Sequence, residues 1–270
     1  MYSVTRPGAL EGVKYFLVPN VKNFSWMTVV AAMGQMFYSL SIAMGILITF
    51  GSYMKKETSL EDSTRNVEVF DTAIAIMAGL MIIPAVFAFS GGDPDTLQAG
   101  PALMFITIPK VFENMGFGTV VGILFFLLVL FAAVTSSIAL TESAVSTFED
   151  ELGWSRRRAT VLVGVIMIAL GSLSSLGYGP LAGIKIIGMQ FLDFFDFLTN
   201  SVMMPIAAML TSLFVSRIVG MKRMEEEIMH GESTFRRKKI FIVMIKYLCP
   251  VFALIILISS VANAFGWIAM

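Results

Sequence analysis

From Phe24 onward the chain returns repeatedly to apolar stretches long enough to cross a bilayer, and this limits its fold more than any motif does. Apolar residues make up 57% of the 270 residues, charged residues 14%, and mean hydropathy is +0.82. A soluble domain carries about 25% charged residues, so a water-soluble globule is the wrong class. The hydrophobicity also excludes a disordered chain. Lys and Arg total 19 against 19 Asp and Glu, which removes any general attraction to nucleic acid. One cysteine, Cys249, rules out an intrachain disulfide, and one histidine, His230, leaves no His/Cys metal cluster. The class is an all-α, polytopic membrane protein.

Six spans are predicted, over roughly 25–53, 68–91, 117–148, 159–177, 184–219 and 239–266. Residues 1–24 read as an external loop segment and 220–238 as a cytoplasmic loop with a short amphipathic helix. Residues 239–270 hold the final span. The loop 92–116 is expected to fold into short helices, because it is apolar without reaching span length. Basic residues cluster between alternate spans: Lys55, Lys56 and Arg65, then Arg156–Arg158, then Arg217, Lys222, Arg223 and Arg236–Lys239. The positive-inside rule places these loops in the cytoplasm and both ends of the chain outside. An outside start is the first hint that the chain corresponds to the C-terminal part of something longer.

Several residues break the rules of a membrane helix. The first span carries Gly34, Gln35, Ser39, Ser41 and Gly45 in its middle. Glycine weakens a helix and serine bends it, so this stretch is either a discontinuous helix lining a cavity or a small-residue packing face. The third span holds Thr135, Ser136 and Ser137, hydroxyls suited to Na⁺ or to helix–helix hydrogen bonds. Asp71 lies near the start of the second span, and Asp193 and Asp196 share a helix face in the fifth. An Asp at a helix centre costs ~2.5–3.5 kcal/mol on insertion scales, so it needs a partner or a watery path. No nucleophile–base pair or phosphate loop is present, so enzymatic chemistry has no support.

The segments PGALEGVKYFLVPN, AAMGQMFYSLSIAMGILITFGSYM, IIPAVFAF, FAAVTSSIALTESAVSTFEDEL and LDFFDFLTNSVMMP resemble the neurotransmitter:sodium symporter family, in its bacterial eleven-span branch with the LeuT-type fold. The resemblance runs along nearly the whole chain. It implies the family's spans six to eleven: the second inverted repeat plus one extra helix, with a discontinuous first helix. The missing N-terminal repeat would complete the carrier. A truncated, non-transporting remnant or a partner subunit is the alternative.

The resemblance also implies roles. Ser41, Ile42 and Ala43 form the break. Tyr38, Ser41 and Met44 surround the substrate, with Ser136 and Leu140 completing the wall. Ala132 (carbonyl), Thr135 and Ser136 resemble half of one sodium site, and Ser39 a ligand of the other. Asp196 looks like the external-gate acid, and Tyr53 and Asp150 like the internal gate.

This chain departs from the family at three of these places. Ala43 stands where many members have glycine, and Tyr38 where an aromatic gate is commonly Phe. Phe70-Asp71 occupies the region of a sodium-ligating Asn, so Asp71 is either that ligand or a fixed negative charge in place of chloride, the second being preferred. The function implied is Na⁺-coupled symport, with Na⁺ as coupling ion and no other cofactor. The expected substrate is an amino acid or related small amine, with a large neutral amino acid favoured. The expected location is the cell (inner) membrane, as a multi-pass protein in the lipid bilayer.

Overall fold

The computed structural model describes residues 8–90, 100–113, 115–231 and 234–267. These are helical throughout, apart from connecting turns and one isolated bridge between Ile186 and Met189. The helices are α1 (Ala9–Leu17), α2 (Trp26–Ser39), α3 (Ile46–Ser52), α4 (Leu60–Ser90), α5 (Ile108–Glu113) and α6 (Gly118–Leu152). They continue with α7 (Arg156–Leu176), α8 (Phe191–Asp196), α9 (Met204–Phe214), α10 (Met221–Ile228), α11 (Lys238–Val243) and α12 (Cys249–Ala264). Stretches of wider, π-type turn join α8 to α9 over Phe197–Met203 and α11 to α12 over Met244–Leu248.

Five of the described helices are long and apolar enough to cross a membrane: Leu60–Phe89, Gly118–Leu152, Arg156–Leu176, Phe191–Val219 and Lys238–Ala264. Their faces carry large apolar side chains open to the surroundings, such as Leu128 at 68% and Ile168 at 71% exposure. The protein is a multi-pass membrane protein, and these faces suit acyl chains. The stretch read as the first span is discontinuous, as the resemblance implies: two helices, α2 and α3, with an irregular segment between them. The stretch beginning at residue 184 starts its helix only at Phe191. Gly177, Gly179, Pro180, Gly183 and Gly188 fill the preceding connection with residues that favour turns. The loop after α4 contains α5, preceded by a wide turn over Leu103–Thr107, while residues 91–99 and 114 lie outside the described residues, as do residues 1–7.

Three of the wide turns have a local cause. A proline inside a helix lacks the N–H for its i−4 carbonyl and collides with it. Pro109, Pro205 and Pro250 each follow a π-type stretch that contains their i−4 residue, namely Phe105, Ser201 and Lys246. Opening the turn there relieves the collision without ending the helix.

Contacts divide the chain into two compact units, residues 1–24 with 67–136, and residues 25–66 with 137–270. In the first unit Ala85, Val86 and Val111 form a core flanked by Ile82, Phe89 and Leu103. Helix α1 lies directly on α4: a Cβ on Gly12 would stand 2.8 Å from the Cα of Pro84. In the second unit α2, α9 and α12 pack through Val30, Phe37, Met204, Ala208, Ala253 and Ile256. Helices α6 and α7 meet through Val145, Ala159 and Val163. Helix α2 begins with a capping box, in which Ser25 and Thr28 exchange side-chain bonds with each other's backbone N–H at 3.4 and 3.3 Å.

Candidate functional site

The break between α2 and α3 is built from three residues in the left-handed region. Ser41 has φ 53°, Ala43 has φ 63° and Gly45 has φ 80°. The end of α2 tightens first: the N–H of Ser41 donates to the Tyr38 carbonyl at 3.1 Å, and that of Ile42 to the Phe37 carbonyl at 2.9 Å. Helix α3 then restarts, with Thr49 N–H donating to the Gly45 carbonyl at 3.0 Å. Glycine adopts positive φ freely, whereas each non-glycine residue there pays ~1–2 kcal/mol. Such strain persists only where surrounding structure holds it, and it clusters at functional sites. Here Ile42, Ala43 and Met44 pack against the core made by α2, α9 and α12. Ala43→Gly should therefore raise stability by about 1 kcal/mol, read as a higher unfolding temperature in detergent.

Beside α2 the second unit forms a half-open cavity of about 340 Å³. Tyr38 and Asp196 both line it, together with Gln35, Asn200 and Ser260. Asn200 Nδ2 donates to Asp196 Oδ1 at 2.5 Å, one helical turn further on. The cavity thus joins a residue assigned to the substrate wall with one assigned to the external gate. Asn200 and Ser260 were not singled out from the sequence. The signal available was a polar side chain four residues after an intramembrane Asp, and a serine pair in an otherwise apolar final helix. Met44 and Ser41 are half-buried at the break, and Ser39 is exposed at the end of α2.

Ala132, Thr135, Ser136 and Asp71 fall in the first unit, whereas the break and Leu140 fall in the second. Thr135 Oγ1 donates to the Ala132 carbonyl at 2.9 Å, so two of the assigned sodium ligands are already hydrogen-bond partners on α6. Thr135 and Ser136 are exposed, Leu140 is 48% exposed, and Asp71 is half-buried.

At the far end of α3, Tyr53 donates through its hydroxyl to Glu142 Oε1 at 2.7 Å. Glu142 also takes a hydrogen bond and ion pair from Arg156 at 2.5 Å, and Arg156 reaches Glu149 at 3.3 Å. The acid beside Tyr53 is thus Glu142, a residue the resemblance does not name, while Asp150 stands exposed on α6. One turn earlier, the buried Thr49 hydroxyl donates to Ser143 Oγ at 3.4 Å and lies equally close to Ser146 Oγ. Helix α3 is therefore tied to α6 by hydroxyls near the break and by a charged network at its end. Among the described residues no cluster of His, Cys, Asp and Glu could hold a metal ion of the transition type.

Residues 1–266 match the profile of the family described as the Sodium:neurotransmitter symporter family. An uncharacterized sodium-dependent transporter of Bacillus subtilis, YhdH, is 33% identical over 86% of this chain and 50% of its own length. One from Haemophilus influenzae is 32% identical over 96% of this chain and 55% of its own. The chain spans about half the length of these curated relatives. The crystal structure of MhsT in complex with L-phenylalanine is similar with a TM-score of 0.83 at 36% identity, covering 96% of this chain and 58% of that one.

Proposed function

Since this chain belongs to the sodium:neurotransmitter symporter family, we propose that it forms part of a carrier in the cell membrane that couples Na⁺ entry to uptake of a large neutral amino acid. The observation that carries this reading is the break at Ser41–Gly45, where a helix gives up its hydrogen-bond ladder in an otherwise apolar stretch. Peptide groups bared at membrane depth are tolerated only where they meet a cavity, a ligand or an ion. Because the curated relatives are about twice as long, the activity is placed in this chain together with a segment equivalent to the rest of their length.

In this reading the carbonyl of Ala132 and the hydroxyls of Thr135 and Ser136 hold one Na⁺, and Ser39 contributes to a second site. Tyr38, Ser41, Met44 and Leu140 shape the substrate pocket, and Ser136 keeps the role that the resemblance gives it. Asp196 closes the outer side when a cation matches its charge, and Tyr53 and Asp150, with Glu142, close the inner side. Asp71 supplies a fixed negative charge near the ions. Neither Na⁺ nor a zwitterion crosses hydrocarbon cheaply alone, and a shared site replaces water for both. If Na⁺ favours the outward-open state, its binding raises substrate affinity there, and substrate raises Na⁺ affinity by the same factor.

The substrate class is supported by Met44, flexible enough to pack against a bulky side chain, and by the phenylalanine bound to MhsT. Competition tests it. In proteoliposomes, excess unlabelled phenylalanine or leucine should abolish uptake of a labelled large neutral amino acid, while lysine and glutamate leave it intact. Competition by charged amino acids as strong as by phenylalanine would refute the assignment.

A further inference from the structure

The final span carries a lysine at membrane depth that the transport account does not use. Lys246 lies within Lys238–Ala264, a 27-residue helix with hydropathy 2.6 over its most apolar window. No Asp or Glu occurs between Lys238 and Ala264, so the helix offers it no counter-charge of its own. Lys246 is exposed, and its Nζ lies 5.2 Å from the centre of the Tyr247 ring, itself 56% exposed. It sits in the wide turn Met244–Leu248 ahead of Pro250, and such turns recur at functional positions.

Lys239 precedes it by about two helical turns, on about the same side, and is exposed, as is Arg236 just before the helix. Helical side chains lean toward the N-terminus, so Lys246 reaches back toward the level of Lys239 while its stem stays in apolar surroundings. Ile240 at 65% and Val243 at 47% exposure fill the same stretch with apolar surface. The approach is held in place. Lys238 is engaged by Glu225, the Arg236 N–H donates to Glu61 Oε2 at 3.0 Å, and the Phe235 and Phe241 rings stand 5.5 Å apart. Cations at one end and open apolar surface beyond them match the two parts of a phospholipid. An apolar helix packed here would leave two lysines unmatched.

We propose that Lys246, Lys239 and Arg236 bind the phosphate headgroup of an anionic phospholipid, whose acyl chains run along the exposed face of this span. The test is native mass spectrometry of the purified chain in dodecyl maltoside, titrated with phosphatidylglycerol or phosphatidylcholine. The wild type should retain phosphatidylglycerol preferentially. Lys246→Met and Lys239→Gln should each weaken retention about fivefold, Lys246→Arg should preserve it, and Lys185→Gln, in a loop elsewhere, should leave it unchanged. Equal retention of the two lipids, or variants at 239 and 246 that behave as wild type, would overturn the proposal. So would a loss in Lys185→Gln as large as that in Lys239→Gln. Displacement of the lipid by glycerol phosphate at equal concentration would make this a free-phosphate site and also overturn it. Should Lys246→Met fail to fold, Lys239→Gln and Lys246→Arg carry the comparison.

Discussion

Gly45→Ala should destabilise the protein by about 2–3 kcal/mol, the largest effect expected of any single methyl group in the second unit. The cause is twofold. Gly45 has φ 80°, where an alanine pays the left-handed penalty. Its new Cβ would also stand 2.6 Å from Ser143 Oγ, well inside contact distance. Ser143 is buried at 8% exposure on α6 and holds the Thr49 hydroxyl, so it has little room to yield. The two causes separate in a double-mutant cycle. Ser143→Ala removes the colliding oxygen and leaves only the Ser143 Cβ at 4.0 Å, an ordinary contact. The double variant should therefore recover about 1 kcal/mol of the loss and keep the backbone penalty. Unfolding temperatures of the four proteins in one detergent check this. Additive losses would show that the close approach of α3 to α6 is absent in solution.

The second large effect concerns the ions. Thr135→Ala combined with Ser136→Ala should lower Na⁺-dependent uptake on the order of tenfold to a hundredfold, because a hydrogen bond or ligand contact to a charge is worth ~1.5–3 kcal/mol. Ser137→Ala, the adjacent hydroxyl, should change uptake little. The loss should appear as a higher Na⁺ concentration for half-maximal uptake, and raised Na⁺ should partly restore the rate. Thr135 Oγ1 already points at the Ala132 carbonyl at 2.9 Å, so removing it changes the surroundings of two assigned ligands together. Equal, mild losses at 135–136 and at 137 would argue against a sodium role for the pair.

Particular residues show where sequence was enough and where it was not. The apolar runs and their lengths carried the all-α membrane class, because burial in lipid demands about 20 apolar residues per helix. Composition alone left the break as a choice, because Gly34, Ser39, Ser41 and Gly45 suit close helix packing as well as they suit a discontinuity, and it was the resemblance that placed it at Ser41–Ala43. What decides is the backbone at Ser41 and Ala43, and neither residue type advertises a left-handed conformation. Tertiary packing of Ile42, Ala43 and Met44 imposes it. The resemblance located Tyr38 and Asp196, yet their shared cavity depends on how α2 lies beside α8 and α12, which no local pattern encodes. Glu142 carries no motif that marks it in the sequence. Its partners Tyr53 and Arg156 come from α3 and α7. The wide turns were not anticipated either, although Pro109, Pro205 and Pro250 were in plain view, since a membrane proline can equally kink a helix or end it.

In the proposed mechanism hydroxyls and bared peptide groups inside this membrane fold couple an amino acid to Na⁺. The most direct test is accumulation of radiolabelled phenylalanine or leucine in proteoliposomes holding this chain with the remaining length of its relatives. The account predicts accumulation above the external concentration under an inward Na⁺ gradient, and none when K⁺ replaces Na⁺. Uptake of equal rate and extent in the two salts would contradict it.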